Sequence, residues 1–226
     1  MCQLILTTSK EEYYYYKPQT VFIPYGSDLT PSPLPDNDPK YTGWLKDHNL
    51  RDGKYIISVG RFVQENNFDI MIQEFMRSKT ELDFAIITTE NGKYAAELQQ
   101  KLNYRSDSRI KFVGTVYDAE LLAKIRENAA AYLHGHEVGG TNPSLLESMG
   151  KTKINLLYDV GFNREGAEDA ALYWTKDEGS LAGLLDRLET VNAEALGKKA
   201  KERMRTAYSW KSVADAYEEI FRRKAE

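Results

Sequence analysis

The sequence predicts an α/β protein built on an open, doubly wound parallel sheet with Rossmann-like organisation. Short runs that are apolar throughout, at 55–59, 84–88, 110–113, 130–133 and 154–157, alternate with segments of helical periodicity. Continuous rather than alternating apolar character marks strands covered by helices on both faces. The spacing of the runs is that of repeated β-α units, which place successive strands parallel in one sheet.

The elements follow in order. Residues 1–38 differ from the rest: four successive tyrosines at 13–16, an extended run at 20–24, and a stretch rich in Pro, Ser and Asp at 27–39. They are expected to be the tail of another unit followed by a linker, with the regular domain spanning 39–226. Within that domain Phe68, Met71, Ile72, Phe75 and Met76 form one apolar helical stripe, and Leu121, Leu122 and Ile125 another. Both stripes are expected in the core rather than at a ligand. After a last short run at 171–174 the chain reads helical almost to its end, with Ser209 placed as the N-cap of a helix starting at Trp210.

Composition narrows the function. The 226 residues are 42% hydrophobic and 28% charged, as in ordinary globular proteins. A formal net charge of -4 argues against a nucleic-acid partner, since neutralising a phosphate backbone needs a surplus of Lys and Arg. The single cysteine, Cys2, allows no internal disulfide, and no Cys/His cluster has metal-ligand spacing, so a metal-independent protein of a reducing, cytoplasmic compartment is expected. No apolar run approaches the roughly 20 residues that span a bilayer. Peripheral contact with the inner face of the membrane is left open.

In open α/β sheets ligands bind outside the carboxyl ends of the strands. The loops leaving the strands contain Gly60-Arg61-Phe62, the segment 89–92, Gly114 with Thr115 and Tyr117, the segment 134–142, and the segment 159–164, whereas the entering loops at 78–83 and 104–109 are merely charged. Glycines, hydroxyls, histidines and an arginine thus converge on one edge, which suits a ligand with phosphate and hydroxyl groups. The strongest feature is HGHEVGGTNPSLLES at 134–148. Asn142 caps a helix that opens at Pro143, and Gly139, Gly140 and Thr141 let backbone amides approach an anion. Glu147, one turn in, is placed to accept from vicinal hydroxyls. A plain glycine turn into a capped helix, with Glu147 complementing its dipole, explains the spacing equally well. Arg61 is either a diphosphate clamp or a surface arginine. His134 and His136 either contact the ligand or satisfy loop carbonyls, and Asn163 and Arg164 either face a sugar or form a solvated turn. No G-x-G-x-x-G follows the first strand of the repeat and no P-loop lysine motif is present, so nicotinamide and P-loop chemistry are poorly supported.

With these residues in view, the chain resembles the C-terminal domain of the GT-B glycosyltransferases, specifically the retaining family four, and within it bacterial polysaccharide rhamnosyltransferases. FIPYGSD at 22–28, YIISVGRFVQENNFDIMI at 55–72, RIKFVGTVYDAELL at 109–122, HGHEVGGTNPSLLES at 134–148 and DVGFNREGAEDAALYW at 159–174 carry the resemblance. It implies that the chain binds a nucleoside-diphosphate sugar, dTDP-, UDP- or GDP-linked, and requires no other cofactor. Gly60 and Arg61 match the pair that meets the donor diphosphate. Gly114, Thr115 and Tyr117 match the loop that reads the base; Gly139, Gly140, Thr141 and Asn142 the loop against phosphate and sugar; and Glu147 the ribose-binding glutamate. Two departures stand out: Asn66 occupies the position of the family's lysine, and Gly139 that of the first glutamate of its E-x7-E pair, for which Glu137 is the substitute. Arg61 and Glu137 are the catalytic candidates, and His136 joins the donor-binding set. The resemblance also implies that residues 1–19 are the remnant of an acceptor-binding domain otherwise absent, so that a saccharide or lipid-linked saccharide acceptor is not held and transfer in isolation is not expected. A sugar-nucleotide 2-epimerase and a non-catalytic nucleotide-binding or interaction module are the alternatives.

Overall fold

The computed structural model describes residues 5–7, 20–90 and 92–225. The tyrosine cluster at 13–16 and Cys2 lie outside them.

Six strands form one parallel sheet: β3 (Tyr55–Val59), β4 (Asp83–Ile87), β5 (Ile110–Phe112), β6 (Ala131–His134), β7 (Asn155–Tyr158) and β8 (Leu172–Trp174), in the order β5-β4-β3-β6-β7-β8. The chain starts in the middle, winds outward through β4 and β5, then crosses back to lay β6 on the other side of β3. Between β3 and β6 the winding reverses. The loops leaving these two neighbours diverge to opposite faces, and a crevice opens there. Two further strands, β1 (Ile5–Thr7) and β2 (Thr20–Phe22), pair in parallel apart from this sheet.

Helices cover both faces, as the uninterrupted apolar runs require. Tyr55 and Ile57 of β3 point into a core with α1 (Pro39–Asp47), α4 (Ala119–Asn128), α5 (Pro143–Lys151) and α8 (Ala193–Ala207). Ile56, between them, points into the opposite core with α2 (Phe68–Arg77), α3 (Gly92–Leu102) and α7 (Ser180–Asp186). The expected stripes are where the periodicity puts them: Phe68, Met71, Ile72 and Phe75 are buried with Met76 packed at the margin, and Ile125 is buried with Leu121 and Leu122 against it. The stretch at 159–164 is not a solvated turn, because α6 (Gly161–Ala167) begins inside it and Asn163 is fully buried.

Residues 27–36, read from composition as a linker, run as a strap over α4 and α5. Ser27 Oγ donates to the Leu146 carbonyl at 2.8 Å, the Ser32 amide donates to Glu127 at 2.7 Å, and Lys124 and Lys151 bond Asp36 and the Thr30 carbonyl. Gly150 allows the strap to pass, for a Cβ there would lie 3.0 Å from Ser27 Oγ. The Ser27 amide also bonds the Tyr208 carbonyl at 2.6 Å, which anchors the strap beside the last helix, α9 (Trp210–Ala225). Ser209 caps α9 as expected, accepting from the Ser212 amide. The helix packs locally, Val213 and Ile220 enclosing Ile23.

That cluster is small and separate from the two large cores. Ile23→Ala removes its centre at a cost of about 2–5 kcal/mol for a buried isoleucine. Hydrogen exchange should then accelerate across α9 while the amides of β3, β4 and β6 keep their protection.

Candidate functional site

The crevice between β3 and β6 is built from their two leaving loops. The loop after β3 turns at Asn67, whose left-handed backbone (φ 52) starts α2. Three bonds join it to the loop after β6: Asn67 Nδ2 donates to the Gly135 carbonyl at 2.7 Å, His136 Nδ1 meets Asn66 Oδ1 at 2.9 Å, and the Glu137 amide donates to the Glu65 carbonyl at 3.1 Å. The approach is so close that a Cβ on Gly135 would stand 2.3 Å from the Asn66 carbonyl oxygen. From below, Asn163 donates to the His136 and Tyr158 carbonyls. This buried amide ties the loop after β6 to the end of β7.

Three cavities open along this edge. The first, about 210 Å³, lies in the crevice and is lined by Gly60, Arg61, Asn66, His134, His136 and Asn142 among others. The second, about 490 Å³ and largely apolar, shares Gly60 and Arg61 with it and is bounded by Phe62, Val63, Thr89, Thr115 and Val116. The third, about 370 Å³, lies between the strap and helices α4 and α5 and contains Tyr117, Arg126, Glu147 and Lys151. Arg61 and Glu147, expected in one pocket, therefore line neighbouring cavities on the same edge. A fourth cavity at the opposite edge carries Arg51, Lys54 and Lys79 balanced by Glu81, Asp186 and Glu189, and none of the glycine or helix-cap chemistry.

Arg61 is exposed, and no carboxylate among the described residues pairs with it. Asn66 cannot act as a spare polar group: Nδ2 donates to the Arg61 carbonyl at 2.6 Å, so its Oδ1 accepts from His136 Nδ1–H. Burial and the nearby Arg61 charge lower the His136 pKa, keeping the ring neutral. His134, deeper in the crevice, is held neutral more strongly, its pKa pushed down by burial to about 3.

The cap at the start of α5 has the geometry expected of it. The Asn142 side chain accepts from the Ser144 amide at 2.9 Å and the Asn142 carbonyl from the Leu145 amide at 3.1 Å, while Pro143 has no N–H to offer. The first turn is thus satisfied internally, by the Asn142 side chain and carbonyl. Gly139 (φ 111) and Gly140 donate to no described residue. Gly139, Gly140 and Thr141 line none of the three cavities, nor does Gly114 (φ 74), so they frame the edge rather than its recesses.

Charge partners also differ from the expectation. Glu137 pairs with Lys176 at 2.5 Å; against the upward push of burial, Lys176 and the Asn67 side chain hold its carboxyl below the ordinary range. Glu137 lines none of the three cavities. Glu147 pairs with the buried Arg126 at 2.6 Å and keeps 46% of its side chain exposed, so one carboxylate oxygen is anchored and the group still faces the third cavity. Arg164 pairs with Asp159 and stacks on Tyr173, 4.2 Å from its ring centre. Sequence reasoning missed Arg126, Lys176 and Tyr132, because nothing local marks a cation or hydroxyl whose partner sits in another loop. Among the described residues no cluster of His, Cys, Asp or Glu suits a metal ion, and no helix is long and apolar enough to cross a membrane.

The comparisons agree with this layout. The chain matches a sucrose-phosphate synthase from Thermosynechococcus elongatus at a TM-score of 0.77 and 20% identity, covering 97% of this chain and 58% of that one. It matches a glycosyltransferase from Rickettsia africae at 0.85 and 12%, covering 98% and 63%, and Anabaena HepE in complex with UDP at 0.82 and 14%, covering 97% and 63%. The fold is the Rossmann-like α/β fold that these glycosyltransferase structures contain. The chain spans about 60% of the length of these solved structures. No protein-family model and no curated protein matches it.

Two outcomes follow from the geometry. Gly135→Ala forces the two loops apart, an overpacking strain of at least about 1–3 kcal/mol, and thermal unfolding should show a midpoint lowered by several degrees. Acid stability should depend on His134. Below its unfolded pKa of 6.5 the unfolded chain takes up a proton that the folded chain refuses until about pH 3, so stability falls as pH falls through that window. His134→Asn should flatten this part of the curve in denaturant titrations run from pH 7 to pH 4.

Proposed function

We propose that this chain is the donor-binding part of a glycosyltransferase and that it grips a nucleoside-diphosphate sugar along the edge of its sheet. The observation that carries the reading is the crevice between β3 and β6, where Arg61 is presented without a carboxylate partner among the described residues, in one cavity with His134, His136 and Asn142. A guanidinium there binds a diphosphate bidentately and stabilises it as charge builds on the departing nucleotide. The exposed oxygen of Glu147 accepts from the ribose diol, and the apolar cavity behind Thr115 takes the base. UDP in HepE supports a nucleoside diphosphate as the ligand class.

The finer assignments belong to the same proposal. The transferred group is a hexose or 6-deoxyhexose, with rhamnose from dTDP-rhamnose as the candidate that the sequence resemblance names, moved with retention and without a metal to a saccharide or lipid-linked saccharide in surface polysaccharide synthesis. The regular donor-binding domain spans residues 39–226, the acceptor is held by a surface outside it, and the work is done in the cytoplasm, in peripheral contact with the membrane. Catalysis needs both reactants held in attack geometry, so the chain by itself binds donor and transfers little.

One observation favours a second reading. Glu137, the substitute for the family's sugar-contacting glutamate, is engaged by Lys176. A non-catalytic nucleotide-binding module has no need of that carboxylate, and its affinity is indifferent to the sugar.

Calorimetry with UDP, dTDP and GDP, each with and without its sugar, separates these. Under the first reading one diphosphate binds, Arg61→Ala weakens it about ten- to a hundredfold through loss of a charged contact, and Glu147→Gln, which leaves Arg126 an acceptor, weakens it about tenfold. Tighter binding of one intact donor than of its diphosphate supports transferase function; equal affinity supports the module. Absence of binding to all three nucleotides sinks both.

A further inference from the structure

One polar atom at the crevice is left over by this account. His134 is 4% exposed and is among the residues lining the cavity with Arg61 and His136, and its buried Nε2 has no hydrogen-bond partner among the described residues. Buried polar atoms are nearly always satisfied, so an orphan on a cavity wall points to a ligand atom. The other ring nitrogen begins a chain. His134 Nδ1 lies 2.9 Å from the Tyr132 hydroxyl, which lies 3.1 Å from Ser144 Oγ. Ser144 Oγ is 3.2 Å from the Val59 carbonyl and 3.4 Å from Arg126 Nη2, and Arg126 Nη1 holds Glu147. The chain runs from the wall of one cavity to the carboxylate of the next.

Its two hydroxyls admit two proton orders. In the first, Ser144 donates to Val59, Tyr132 donates to Ser144, and His134 donates Nδ1–H to Tyr132, so Nε2 presents a lone pair to the cavity. In the second, Ser144 donates to Tyr132, Tyr132 donates to Nδ1, and the proton of His134 sits on Nε2. Only the second suits an anion. Passing between them moves no net charge: the hydroxyl protons rotate, one proton leaves Nδ1 for water, and one reaches Nε2 from water. Arg126 donates to Ser144 in both orders, and Glu147 aims Arg126.

We propose that a phosphoryl oxygen is the missing partner of His134 Nε2, and that Tyr132 and Ser144 are positioning residues that set the tautomer of His134 and couple it to Glu147. The proposal rests on the donor-binding reading above and adds a diphosphate contact together with a link between the two ends of the ligand.

The test uses the full chain, nitrogen-15 labelled, with UDP as probe and long-range proton–nitrogen spectra of the three imidazoles, of which a His134→Gln sample identifies the relevant one. Saturating UDP should place the His134 proton on Nε2, and Glu147→Gln should shift the His134 nitrogens even without ligand. Tyr132→Phe, which keeps the ring, and Ser144→Ala, which breaks the chain from α5, should each abolish the tautomer response and weaken UDP about tenfold. His134 signals unmoved by bound UDP, or wild-type affinity in both variants, overturn the relay alone. Failure of the unaltered chain to bind UDP, dTDP or GDP removes the donor-binding reading and the relay with it.

Discussion

The site depends on the seam between the loops leaving β3 and β6. Parallel sheets of this winding all leave a crevice where the direction reverses, but a crevice has no set width unless its two lips are tied. Here Asn67, Asn66 and the Glu65 carbonyl reach across to Gly135, His136 and Glu137, and only a hydrogen in place of a side chain at Gly135 permits the contact. These bonds fix the separation of the two loops that line the cavity holding Arg61 and His136. The asparagine at the position of the family's lysine becomes intelligible in this light: the charge is replaced by a strut that joins the Arg61 carbonyl to His136.

Around that seam the charges are mostly compensated. Glu147 is held by Arg126, Glu137 by Lys176, and Arg164 by Asp159. Such pairs at a partly exposed edge contribute little net stability, yet they orient carboxylates and leave Arg61 as the cation that the crevice presents. An anion arriving there meets donors already in place and reorganises little, which is how preorganised sites achieve strong electrostatics.

Much of this was legible in the sequence, and the reason is locality. Apolar runs such as 154–157 read as buried strands because consecutive residues decide the matter, and Asn142 with Pro143 announces a helix start for the same reason. What the sequence concealed were contacts between distant positions: Arg126 with Glu147, Lys176 with Glu137, and the Asn163 amide beneath His136. Asn163 looks like a turn residue because asparagine in a strand-end loop usually is one. Its burial follows only once α6 is packed against the neighbouring loop.

The strap over α4 and α5 couples two places that look independent. Residues 28–33 wall the cavity that contains Glu147, and the adjoining Ser27 is fastened to Tyr208 and paired with Ser209 at the foot of the final helix. Only the residues next to Ser27 separate that fastening from the cavity wall, so a shift of the helix foot is felt there. The foot of the last helix and the wall of the Glu147 cavity are therefore two ends of one short tether.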